Sequence, residues 1–205
     1  MPISQSKIVL LNLMELCVAV FRGPGREDWS RLADTALPQL LDHVQAFPGF
    51  PSGPLRDMAH ALAPLAESGD FSDLETEYVR LFIAGPGGIP APLYESCHLG
   101  NERRTMGRSA LDMRDRLAAA GLSVALDSNE PPDHLTLELE YLYHLCAEGW
   151  ASDPALAEQA EAFAAQVMLP WVRRFRDALA GADPHPVYLG AADIVVAVLE
   201  RVPDA

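Results

Sequence analysis

Residues 72–96 read SDLETEYVRLFIAGPGGIPAPLYES, and the passage from helix to loop within them decides the fold class. Ser72-Asp73-Leu74-Glu75 has the S-x-x-E form of a capping box, so a helix is expected to start at Ser72. Leu74, Tyr78, Leu81 and Phe82 then recur at helical spacing and share one face. The helix cannot continue through Gly85-Pro86-Gly87-Gly88-Ile89-Pro90-Ala91-Pro92, because proline lacks an amide hydrogen and glycine loses the most backbone freedom on ordering.

The same grammar extends in both directions. Toward the N-terminus, a helix is expected over residues 4–21, ended by Gly23-Pro24-Gly25, and another over 28–46, where Trp29, Leu32, Ala36, Leu40 and Val44 form a stripe and Pro38 bends or splits it. A short helix runs through Leu55, Met58, Leu62 and Leu65. Toward the C-terminus the pattern predicts helices over 103–120, closed by Gly121, and over 134–148, with Asp133 as N-cap. Two more cover 153–180 and 187–201. No internal repeat or long low-complexity linker divides the chain, so the expectation is one all-α, multi-helix bundle over residues 1–205.

Composition narrows the function. The 205 residues are 49% hydrophobic and 21% charged, too apolar for disorder. With 29 acidic against 15 basic side chains the formal charge is -14, which argues against nucleic acid or an anionic membrane surface and suits a basic partner. Cys17, Cys97 and Cys146 are widely spaced with no CxxC, so a zinc ribbon, a thioredoxin motif and a disulfide framework are not expected. Lys7 followed by the apolar run 8–21 imitates a secretory signal, but Asn12 and Glu15 interrupt it and no small-x-small cleavage site follows. The run is also shorter than the ~20 residues a membrane span needs. A soluble, cytoplasmic protein is expected.

Catalytic signatures are weak. The glycines at 85–88 lack the Lys-Ser/Thr of a phosphate-binding loop, and the chain has no G-x-S-x-G, HExxH or EF-hand pattern. Cys97 and His98 are sequence neighbours, whereas a nucleophile and its base usually meet through the fold. His134 and Glu138 share a helix face at i, i+4, yet no third ligand has a fixed relation to them, so a histidine paired with a carboxylate one turn on is the simpler reading. No cofactor or metal is expected.

Two loops carry polar chemistry outside the core stripes: Pro92-Leu93-Tyr94-Glu95-Ser96 and Glu130-Pro131-Pro132-Asp133-His134. Set against the Tyr78, Leu81, Phe82 face, they would form a groove with apolar walls and acidic rims. Such a groove suits a peptide bearing apolar residues and arginines, because carboxylates hold guanidinium groups by paired, charge-assisted hydrogen bonds.

Taken in order, Tyr78-Val79-Arg80-Leu81-Phe82, the Gly/Pro loop, Pro92-Leu93-Tyr94-Glu95-Ser96, Met106-Gly107 and Glu130-Pro131-Pro132-Asp133-His134-Leu135 resemble the TorD/DmsD family of cytoplasmic chaperones. Leu169-Pro170-Trp171-Val172-Arg173-Arg174-Phe175 and Pro186-Val187-Tyr188 resemble its closing helices. The resemblance implies an all-helical chaperone, not an enzyme, that binds the twin-arginine signal peptide or N-terminal region of the catalytic subunit of a molybdopterin oxidoreductase of the dimethyl sulfoxide reductase family. It would assist cofactor insertion and withhold the client from export until loaded. The implied peptide-binding residues are Tyr78, Leu81, Phe82, Tyr94, Glu95, Ser96, Asp133 and His134; Glu130 belongs to the same motif and Glu138 follows His134 by one turn. In the expected complex, Leu81, Phe82 and Tyr94 pack on the peptide's apolar core, and Glu95, Glu130, Asp133 and Glu138 face its arginines. Two alternatives stay open: a nitrate-reductase-type assembly chaperone whose client lacks an export signal, and a metal-dependent helical hydrolase using His134, Glu138 and Cys97. The Gly/Pro loops are compatible with a monomer or a domain-swapped dimer.

Overall fold

A computed structural model describes residues 3–47, 49–85, 87–99, 107–124 and 130–205. The expected helices 4–21 and 28–46 correspond to α1 (Gln5–Phe21) and to a continuous helical run made of α2 (Arg26–Arg31), a π turn (Leu32–Ala36) and α3 (Leu37–Gln45). Next come α4 (Ser52–Ser68), α5 (Ser72–Tyr78) with a second π turn (Val79–Ile83), α6 (Arg108–Ala119) and α7 (Leu135–Ala151). The chain closes with α8 (Pro154–Ala162), a third π turn (Phe163–Met168), α9 (Leu169–Ala180) and α10 (Pro186–Arg201). The start of the expected helix 103–120 lies outside the described residues. Among the described residues the backbone pairs strand-like only at the isolated bridge between Tyr94 and His134.

Two of the π turns have a cause in sequence. Pro38 and Pro170 each follow one directly, in the first turn of α3 and α9. A proline ring inside a helix crowds the carbonyl four residues earlier and offers it no hydrogen. The helix relaxes by passing to the wider ladder, in which Leu37 N–H donates to the Leu32 carbonyl and Leu169 N–H to the Ala164 carbonyl. Pro38 therefore neither splits nor ends its helix.

Two expected caps are formed differently. Ser72 opens α5, but its own side chain caps nothing; the Asp70 carboxylate accepts the Ser72 N–H at 3.0 Å, and that hydrogen bond holds the Asp70 carboxyl below its usual range. Asp133 does not cap α7 either. The cap is His134, whose Nδ1 accepts the Thr136 N–H at 3.2 Å.

The core is one connected cluster. α1 lies between α7 and α10, α10 also receives α4 and α9, and α8 folds back on α7. Close approach needs small residues: a Cβ on Gly149 of α7 would lie 2.5 Å from the Ala157 nitrogen of α8, and one on Gly190 of α10 only 3.1 Å from the Pro54 carbonyl oxygen of α4. At the centre, Phe21, Phe82, Phe175 and Tyr188 meet edge-on or tilted, with ring centroids 5.4–6.3 Å apart. This aromatic knot joins the end of α1, the π turn after α5, and helices α9 and α10. Among the described residues no helix is long and apolar enough to cross a membrane.

Candidate functional site

The two polar loops meet. Glu95 N–H donates to the Asp133 carbonyl at 3.0 Å and Leu135 N–H to the Leu93 carbonyl at 2.8 Å, so Leu93–Glu95 lies antiparallel to the entry of α7. The side chains reinforce the join. Asp133 Oδ2 accepts the Ser96 N–H at 3.0 Å, the Tyr94 hydroxyl donates to Glu130 Oε2 at 2.6 Å, and the Tyr94 ring stands edge-on to His134 with centroids 5.2 Å apart. His134 is buried, which lowers its pKa and agrees with an Nδ1 that accepts a hydrogen bond.

Beneath this join lies a carboxyl cluster that the sequence reading placed on a groove rim. Glu138 is fully buried, with Oε2 accepting the Trp171 indole N–H at 3.0 Å. Among the described residues, its Oε1, Asp133 Oδ1 and Ser96 Oγ have no hydrogen-bond partner. Burial pushes the Glu138 carboxyl well above the ordinary carboxylate range, and the neighbouring Glu95 and Asp133 push it further, against the opposing indole hydrogen bond. Burial raises Glu95 as well, while its contact with Glu138 opposes the rise.

Leu81 and Phe82 are also interior, 0% and 2% exposed. The expected groove with these two as walls, and with Glu95, Asp133 and Glu138 as its acidic rim, is therefore not open in this structure: Phe82 belongs to the aromatic knot and Leu81 to the core around it, and the three acids are buried, Asp133 joining the two loops through the Ser96 amide. Ser96, 7% exposed, is likewise buried in the join.

What the structure brings to the surface is a cleft of about 570 Å³ between the end of α1 and the start of α7. Its lining contains Tyr78, Glu130 and His134 from the expected set, together with Phe21, Val124, Leu137 and Glu140. Tyr78 fixes one wall by donating from its hydroxyl to the Phe21 carbonyl at 3.0 Å, and burial with the nearby Glu130 lifts its pKa to about 12. The tight turn past α1 accommodates the ring because residue 23 is glycine: with φ +71°, its Cβ would lie 3.0 Å from the Tyr78 ring. Tyr94 borders the cleft through its contacts with Glu130 and His134. Sequence reading missed Arg22 and Glu140, which form an ion pair across the cleft. Glu140 lies one turn beyond the buried Thr136 and one turn before the half-buried Tyr143 on α7, and its carboxylate reads as ordinary solvated surface until the fold sets Arg22 beside it.

Among the described residues, the side chains that the rival hydrolase would use for a metal are engaged elsewhere or ungrouped. His134 uses Nδ1 as a helix cap, Glu138 is engaged by Trp171, and among the described residues no group of three His, Cys, Asp or Glu side chains could hold a metal ion.

Comparison with known proteins agrees with this architecture. A family model described as "Nitrate reductase delta subunit" matches residues 51–177. The chain is 28% identical over 155 residues to the chaperone protein TorD of Vibrio cholerae serotype O1 (strain M66-2), covering 71% of this chain and 70% of that one. It is 30% identical over 133 residues to the Tat proofreading chaperone DmsD of Salmonella paratyphi A, covering 63% and 62%. The crystal structure of a putative redox enzyme maturation protein from Archaeoglobus fulgidus shares the fold with a TM-score of 0.60 at 21% identity, over 93% of each chain. A helical bundle that joins two polar loops over a buried carboxyl cluster, with sequence similarity through both loops, is thus a member of the TorD/DmsD family, which the nitrate reductase delta subunit model covers and whose members are chaperones and not enzymes.

Proposed function

We propose that the protein is a cytoplasmic chaperone for the catalytic subunit of a molybdopterin oxidoreductase of the dimethyl sulfoxide reductase family, and that it binds the client's twin-arginine signal peptide or N-terminal region in the cleft between α1 and α7. The observation that carries this reading is the chemistry of the cleft: Phe21, Tyr78, Val124 and Leu137 supply apolar and aromatic surface, while Glu130 and Glu140 stand along it. Apolar walls with a few placed carboxylates fit an apolar segment preceded by arginines. Tyr78, Tyr94, Glu130 and His134 are the direct contacts in this reading. Leu81, Phe82, Glu95, Ser96, Asp133 and Glu138 act through the frame that positions those four. While bound, the client would be held from export as its cofactor is inserted.

Titration calorimetry with a synthetic twin-arginine leader peptide, two arginines followed by an apolar run, tests the reading. Binding should fall on Tyr78→Ala and on Glu130→Gln, and should weaken as salt screens the carboxylates. Equal affinity in both variants would remove the cleft as the site. The family model's match over residues 51–177 also favours a second reading, an assembly chaperone of the nitrate-reductase type whose client has no export signal. Replacing the two leader arginines by lysines separates the two, because lysine cannot reproduce the paired guanidinium contact. Only a signal-peptide binder should lose most of its affinity.

A further inference from the structure

Arg22 ends α1 and reaches across to Glu140 on α7, from a position 118 residues earlier in the chain. The pair stands between two clefts. On one side is the cleft of about 570 Å³ described above; on the other is one of about 470 Å³ lined by Met14, Glu15, Val18 and Tyr143, and both include Arg22 and Glu140 in their walls. Among the described residues lining the two, Arg22 is the one permanently charged cation, set among Glu15, Glu130 and Glu140. The side chains of the pair are 57% and 40% exposed, so water competes for both partners. An ion pair of that exposure is weak enough for a ligand to replace.

We propose that Arg22 is an internal stand-in for a client arginine. Its guanidinium occupies the place on Glu140 that an arginine of the bound peptide takes, and its departure joins the two clefts into one trough along α1 and α7. The inference rests on the client-binding reading above and adds to it a gating residue, Arg22, and a guanidinium subsite, Glu140. Charge complementarity selects the occupant: three carboxylates around a single cation leave the trough acidic, and removing Arg22 from it leaves an uncompensated carboxylate facing apolar walls formed by Val18, Met14 and Leu137. A segment carrying arginine beside leucines satisfies both surfaces at once. An acidic or purely apolar peptide does not.

Fluorescence anisotropy with a synthetic leader peptide, two adjacent arginines followed by a leucine-rich run, tests this on the full chain. Arg22→Gln should bind the peptide about two- to fivefold more tightly than the unaltered protein, the range that corresponds to loss of an exposed pair. Glu140→Gln should bind more weakly, and the double variant no better than Glu140→Gln alone. Arg173→Gln makes the same change in net charge at a pair with Glu200 on α9 and α10, outside both clefts, and should leave affinity unchanged. A peptide with both arginines replaced by glutamine should gain nothing from Arg22→Gln. If the unaltered protein binds the leader and Tyr78→Ala abolishes binding, but Arg22→Gln is unchanged or weaker, the stand-in is refuted and the chaperone reading survives. A gain equal to that of Arg173→Gln also refutes it, since long-range charge would then explain the effect. If no version binds the leader, both readings fall.

Discussion

Asp133 holds a loop rather than its own helix: its carboxylate accepts the Ser96 N–H at 3.0 Å while the neighbouring His134 caps α7. The difference sets the geometry of the whole site, because the Ser96 contact and the Glu95–Asp133 backbone bond together fix the two polar loops edge to edge. Tyr94 is thereby set against His134 and Glu130 at the mouth of the cleft.

Asp133→Ala should destabilise the protein and disorganise the cleft together. The substitution leaves a buried amide without its acceptor, a loss of about 1–3 kcal/mol. Asp133→Asn keeps an acceptor oxygen at the same place and should recover most of the stability. Urea unfolding of the two variants checks this, and an Asp133→Ala protein as stable as the unaltered one would show that the Ser96 contact contributes nothing.

Glu138→Gln should stabilise. In the folded protein Glu138 keeps its proton well above the ordinary carboxylate range, whereas in the unfolded chain it ionises near the ordinary glutamate value of 4.5. The folded state therefore binds more protons than the unfolded one over that interval. Its advantage is complete below pH 4.5 and is lost progressively as pH rises toward the elevated value. Glutamine imitates the protonated carboxyl, can still accept the Trp171 indole N–H, and has nothing to lose as pH rises. The thermal midpoint of Glu138→Gln should exceed that of the unaltered protein by several degrees at neutral pH, with the two converging near pH 4. A lower midpoint for the variant at neutral pH would mean that the carboxyl is ionised in the fold.

The helices were legible because apolar residues recur with the helical period from Leu10 to Leu199, and because glycine and proline punctuate the gaps. Local signals were less decisive wherever tertiary contacts competed with them. Ser72 and Asp133 both have the residue type and position of a cap, yet Asp70 supplies the hydrogen bond at one and the other is drawn away to Ser96. Glu138 shows a different limit. It lies on the Leu135–Leu142 line of α7, so its burial is implied by periodicity, but a carboxyl one turn past a histidine reads equally well as a rim charge until Trp171 is seen beside it. The convergence of Tyr78, Glu130 and His134 followed from the two loops. Arg22 and Glu140 did not, since each occupies a helix face that resembles ordinary solvated surface and only the fold brings them together.

His134 should make folding sensitive to acid. Burial lowers its pKa below the unfolded value of 6.5, so its contribution is present above that value and is lost as pH falls through the depressed one. The proton has a structural consequence, because Nδ1 cannot accept the Thr136 N–H once protonated. His134→Asn retains a capping oxygen and should lose less stability than His134→Ala, for which about 1 kcal/mol is expected. Both should flatten the decline between pH 6.5 and pH 5 seen by circular dichroism. A decline unchanged in both would assign acid sensitivity to other groups.

Gly149→Ala tests the packing that supports α7 from behind. The added Cβ would stand 2.5 Å from the Ala157 nitrogen and 2.8 Å from its Cα, and both obstacles are backbone. No side-chain rotation relieves such a contact, so α8 must move away from α7 at a cost of about 1–3 kcal/mol. The displacement is on the face opposite the cleft residues Leu137 and Glu140 only in part, since all three belong to one rigid helix; a shift of α7 is expected to weaken leader binding as well as stability. Denaturant midpoints and peptide affinity measured on the same preparation would show the two losses together. Full stability in Gly149→Ala would mean that α8 docks with more freedom than its backbone contact with α7 implies.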